Sequence, residues 1–217
     1  MSEGTHVVDT VVLMYFLLVG QEGLLGDLLG RPLQVPVAVY DPADRARTHE
    51  PASRPELLSE MRQVVGHYEA AATLAEESES PDHALESFTS IKRVDELYDE
   101  GGLVPIEMTR PEQLLAARLQ GGDVAEYGLK MGLGPGEAAC VAIAVERGWT
   151  IATDDSDAFK VLDKLHGGPN YPYERIRKLL IRAADEGRIS REEANRLHNE
   201  MRTLGFWDSG QPFPEAS

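Results

Sequence analysis

Apolar positions along the chain fall into short blocks divided by polar, glycine and proline breaks. His6-Val7-Val8-Asp9-Thr10 reads as a short strand, and the apolar run Val11 to Val19 carries on as a helix to Leu18. Leu24 to Leu29 predicts a second short helix. Leu33 to Tyr40 is rich in β-formers but holds Pro36, which predicts a strand interrupted there or displaced to a sheet edge. Asp41 to Pro55 is polar with three prolines and reads as a loop. Glu56 to Glu77 and His83 to Tyr98 both carry helical periodicity, with Pro81 as a stop and Asp82 as a cap between them.

Further along, Leu103 to Met108 predicts a strand, and Thr109-Arg110-Pro111-Glu112 opens a helix with Thr109 as N-cap. The glycines of Gly132 to Gly136 make a turn before a helix from Glu137 to Arg147, which Gly148 ends. Trp149 to Thr153 reads as a strand and Ala158 to Leu165 as a helix. Two more helices, Tyr173 to Glu186 and Ser190 to Leu204, close the pattern, the second on the capping box Ser190-Arg191-Glu192-Glu193. Strands alternating with helices predict an α/β fold with a mostly parallel central sheet flanked by helices. One domain over residues 1–207 is expected, with a helical excursion at 48–102, a C-terminal helical pair at 173–204 and a tail at 208–217.

Composition narrows the class. The longest apolar run is about half of the roughly 20 residues that cross a bilayer, and it lacks the flanks of a secretory signal, so no membrane association is expected. A single cysteine, Cys140, lies in an apolar helix and reads as a small core residue; with no partner for a disulfide, a cytoplasmic location is expected. A net charge of −16 argues against a broad electropositive nucleic-acid surface. The charge is uneven: Glu174 to Arg202 holds eight Lys/Arg against six Asp/Glu, whereas Met1 to Tyr173 holds thirteen against twenty-nine. The six histidines show no paired ligand spacing, and Gly132 to Gly136 lacks the lysine of a phosphate loop.

Candidate chemistry lies in acidic residues placed just past apolar strands. Asp9 ends the first strand, and Asp155 and Asp157 follow Thr150-Ile151-Ala152-Thr153. Ligands of open α/β sheets bind outside the carboxyl ends of the strands, so these groups are expected at one edge. Glu137 opens a helix from a Gly-Pro-Gly turn and is expected to reach the same place. Each residue singly also suits a helix cap or first turn. Together, carboxylates brought close repel unless protonated or neutralised, and hard divalent cations neutralise them. Mg2+ or Mn2+ held in this way polarises a phosphate and acidifies a water, which suits phosphodiester hydrolysis.

Val7-Val8-Asp9-Thr10, Gly136-Glu137-Ala138-Ala139 and Ala152-Thr153-Asp154-Asp155-Ser156-Asp157-Ala158-Phe159 resemble the successive acidic motifs of PIN domains. Leu24 to Tyr40, Asp185 to Ile189 and Leu204 to Trp207 resemble a bacterial and archaeal branch related to toxin ribonucleases. The resemblance covers about Val7 to Arg47 and Leu103 to Trp207, and leaves out Thr48 to Gly102. It implies a metal-dependent ribonuclease in which Asp9, Glu137 and Asp155 hold the ion. Asp157 would assist at the water, Asp154 would be a spacer, and Thr10 and Thr153 would support the site.

At one point the chain departs from that branch. Aligned on Val39-Tyr40, the place of a further glutamate holds Pro42, with Asp41 and Asp44 near it but off the position. A binding or regulatory protein without turnover is therefore a second expectation. A third is a toxin held by a small antitoxin or assembled as a homo-oligomer. An aspartate-based phosphatase is a remoter rival, because Asp9-Thr10-Val11 lacks the second aspartate two residues on.

Overall fold

The computed structural model describes residues 5–47, 58–77, 82–121, 124–168 and 171–207. Five strands form one sheet: β1 His6–Val8, β2 Leu33–Pro36, β3 Leu103–Ile106, β4 Thr150–Ala152 and β5 Tyr173–Glu174, in the spatial order β3-β2-β1-β4-β5. Every pairing is parallel, with Val7 opposite both Gln34 and Ile151, and Ile151 opposite Tyr173. Short, apolar, β-branched strands of this kind suit a sheet covered on both faces, and Val7, Val8, Val35 and Ile151 are fully buried.

The helices are α1 Thr10–Leu18, α2 Glu22–Leu29, α3 Asp44–Arg47, α4 Glu60–Glu77, α5 Asp82–Asp99, α6 Arg110–Gln120, α7 Pro135–Arg147, α8 Ser156–His166, α9 Ile176–Asp185 and α10 Arg191–Thr203. α1 is apolar on all sides and packs against α2, α4 and α5. α7 lies across β1, β2 and β4, with α6 and α8 beside it. Its small side chains, Ala138, Ala139, Cys140 and Ala142, are fully buried and let it approach the strands closely. Cys140 is thus the core residue expected of it, and burial pushes its thiol pKa up.

The chain leaves β1 towards β2 and β3, then returns to the far side of β1 as β4. With right-handed crossovers such a reversal puts the connections on opposite faces, and open α/β sheets bind ligands in the crevice this makes at the carboxyl ends of the strands, here β1 and β4. Asp9 follows β1 and Asp155 follows β4, so the topology itself sets both at that edge.

β2 ends at Pro36, the interruption expected there, and is interior, not displaced to an edge; the missing N–H falls on its last residue, after which the chain turns and Val37 N donates to Ile106 O at 3.1 Å. Two expectations change. The segment expected to be all loop after Tyr40 contains α3. The helix expected from Tyr173 starts only at Ile176, because Tyr173 and Glu174 pair with Ile151 and Ala152 as the edge strand β5. The expected caps hold elsewhere: Thr109 N donates to Glu112 at 2.6 Å, Ser190 Oγ accepts from Glu193 N at 3.0 Å, and Gly148 ends α7 at φ 65°. The stop expected at Pro81 and the tail 208–217 lie outside the described residues; Asp82, expected as the cap, is the first residue of α5. No described helix is long and apolar enough to cross a membrane.

Candidate active site

Asp9 is the N-cap of α1 and is almost wholly buried, at 5% exposure. Its backbone N–H donates to Ala152 O at 3.0 Å, which registers it against the end of β4. One carboxylate oxygen accepts from Thr10 N at 2.8 Å and the other from Thr153 Oγ1 at 2.7 Å. The buried Thr153 hydroxyl also accepts from Asp155 N at 3.1 Å. One hydroxyl thus couples the carboxylate after β1 to the backbone after β4. Asp155 caps α8 through Asp157 N at 2.7 Å. The cap reading and the site reading of Asp9 and Asp155 are therefore both realised by the same side chains.

Glu137, in the first turn of α7, faces these two. Asp155 and Asp9 are the carboxylates whose charges act on it. Its Oε1 is buried without a hydrogen-bond partner. Burial, then the charges of Asp155 and Asp9, push its pKa up to about 9. Burial, opposed by the Thr153 hydrogen bond and aided by Glu60 and Asp155, raises Asp9 to about 7.

Glu60 is the group that sequence reasoning missed. It is the first residue of α4, and the start of that helix is tied to the end of β2: Glu60 N donates to Ala38 O and Met61 N to Val39 O, both at 2.9 Å. The carboxylate accepts from Thr10 Oγ1 at 2.5 Å and from Gly136 N at 2.7 Å. It reaches Thr10 and Gly136 from a helix that begins beyond the loop after Tyr40. Asp41 and Asp44 do not substitute for it. Asp41 holds the turn at Ala43 N, and the buried Asp44 accepts from Ser59 N at 2.7 Å, just ahead of α4. The signal that was available is a glutamate opening the next helix after a polar insertion.

The structure therefore brings together Asp9, Glu137 and Asp155 with Thr10 and Thr153, and adds Glu60. Asp157 differs: its carboxylate is 44% exposed and bound to Lys160 Nζ at 2.5 Å. Asp154, expected only as a spacer, holds Arg175 Nε at 2.9 Å and Ile176 N at 2.7 Å, joining the loops after β4 and β5. Beside Glu60 opens a cleft of about 320 Å3 lined by Val37, Asp41, Leu58, Gln63 and Pro135, among others.

Whether these residues fit a divalent cation follows from their chemistry. The donors are all oxygens, as hard cations require. The orphaned Glu137 Oε1 and the raised Asp9 and Glu137 are what a cation would relieve. Among the described residues, however, no three such groups are already set at ligation geometry around one point. The residue types thus suit a hard cation, while their placement does not form a ready-made site. Comparison with family models, curated proteins and solved structures found no match.

Proposed function

We propose that this chain is a Mg2+- or Mn2+-dependent endoribonuclease of the PIN type, hydrolysing phosphodiester bonds at the crevice between β1 and β4. The observation that carries the reading is the convergence of four carboxyl groups from four separate elements, two of them with strongly raised pKa. A merely structural cluster would ordinarily pair such groups with Arg or Lys, as Asp95 and Glu112 are paired elsewhere in the chain.

Asp9, Glu137 and Asp155 would hold the ion, with Glu60 braced beside them by Thr10 and Gly136. When bound, the ion supplies neutralising charge at a phosphate oxygen and acidifies a water. Thr153 fixes the orientation of Asp9, so the carboxylate meets its ligand without losing rotamer freedom at that moment. Asp157, on the solvent side with Lys160, is left to orient the approaching water. The ribonucleic substrate follows from the motif resemblance alone. Pro42 and the net charge of −16 speak for a non-catalytic reading; Glu60, a further carboxylate beside Thr10, supports the catalytic one.

The test is cleavage of single-stranded RNA by the purified chain. Activity is expected to vanish with EDTA, return with Mn2+, and fall at least a hundredfold in Asp9→Asn, Asp155→Asn. Undiminished cleavage by that double variant overturns the proposal.

A further inference from the structure

One cation stands fixed at the same rim of the sheet as the carboxylates. Arg175 follows β5, the strand beside β4, and its Nε binds Asp154, whose side chain is only 5% exposed. Its guanidinium carbon lies 5.3 Å from the centre of the Phe159 ring, and Phe159 in turn stacks on Tyr173 at 4.3 Å. A buried carboxylate and an aromatic face thus hold the guanidinium in place, while 44% of the side chain stays open to solvent. Asp154 is the backbone neighbour of Asp155. Arg175 and the acidic centre are accordingly carried by adjacent loops at the carboxyl ends of adjacent strands.

An acidic protein of net charge −16 that must admit a polyanion needs local attraction beside its acidic centre. A planar fork held by stacking and by one nitrogen keeps its outer edge for a second acceptor, and phosphate oxygens match that edge. We infer, resting on the nuclease reading above, that Arg175 is a substrate-positioning residue that grips a phosphate neighbouring the scissile one in single-stranded RNA. Asp154 and Phe159 serve to pre-organise it.

Cleavage kinetics of the full chain on a single-stranded RNA with Mn2+, measured over a range of salt, test this against a purely structural ion pair. Arg175→Gln is expected to raise KM about tenfold with kcat little changed. It should also flatten the fall of log kcat/KM with log salt by about 0.7, the share of one phosphate contact on a single strand. A structural role would lower the unfolding temperature without touching that slope. Arg175→Lys keeps a charge beside Asp154: a smaller rise in KM at unchanged slope is expected, and this variant decides alone if the glutamine variant does not fold. Wild-type KM in the folded variants overturns the inference and leaves the nuclease reading standing. A wild-type chain that cuts no RNA overturns both.

Discussion

At the scale of single residues, Gly136 and Glu60 depend on one another. A Cβ built at Gly136 would lie 2.2 Å from Glu60 Oε2 and 2.6 Å from its Cδ, so only glycine leaves room for the carboxylate. The obstructing atoms are the end of a flexible side chain, and Ala is the better helix former by up to about 1 kcal/mol. Gly136→Ala should therefore push Glu60 away from Gly136 N and Thr10 at little cost to folding. The expected outcome is at least a tenfold loss of cleavage with an unfolding temperature within a few degrees of wild type. Combining it with Glu60→Gln should add little further loss, because both changes remove the same contact. Asp9, Glu137, Asp155 and Thr153 were legible from sequence because each stands directly beside an element boundary that hydrophobic patterning reveals. Glu60 was not, because its link to Thr10 spans fifty positions and is made by a helix lying outside the recognisable motifs. Asp157 satisfies the same spacing rule as Asp155, yet Lys160, one helical turn on, draws it towards solvent.

At the scale of elements, the excursion after Tyr40 is part of the site and not an ornament on it. α4 and α5 pack on each other and are fastened to the core through polar groups. Asp95 accepts from Arg62 at 2.7 Å, from Arg45 at 3.0 Å and from Tyr40 Oη at 2.9 Å. The Arg62 side chain is only 7% exposed. Asp95→Ala would leave that guanidinium buried without its carboxylate, a loss of about 2–4 kcal/mol after discounting for the partial exposure of Asp95. For a chain of this length the unfolding temperature should fall on the order of 5–15 °C, measurable by calorimetry. Cleavage should fall too, since Glu60 rides on the first turn of α4. Periodicity located both helices to within a few residues, but amphipathic patterning cannot say what a helix docks on. β5 escaped for a related reason: two residues of strand carry no alternation, and only pairing with β4 makes Tyr173 and Glu174 extended. Pro36 left two readings of β2 open, an interruption or an edge position, and the strand ends there as the first of them has it.

For the molecule as a whole, the acidic centre makes stability depend on pH in an uncommon direction. Asp9 at about 7 and Glu137 at about 9 both stand above their usual values of 3.8 and 4.5. The folded state therefore holds more protons than the unfolded chain between roughly pH 4 and 9, and stability must fall as pH rises through that window. Without added metal, the unfolding temperature is expected to drop by on the order of 5 °C or more between pH 6 and pH 9. Asp9→Asn should flatten that profile, since it removes the group whose ionisation is opposed. The rest of the surface is acidic as well, so general repulsion contributes to the slope, and the variant isolates the part that belongs to the site.

The proposed cation site of Asp9, Glu137 and Asp155, with Glu60 beside them, is most directly tested by calorimetric titration of the metal-free chain with Mn2+ at pH 7.5. The expected result is one ion per chain with an affinity in the micromolar to low millimolar range. Protons should be released on binding because Glu137 must ionise, and affinity should be at least tenfold weaker in both Glu60→Gln and Asp9→Asn. Absence of binding over that range, or equal binding by wild type and both variants, would contradict it.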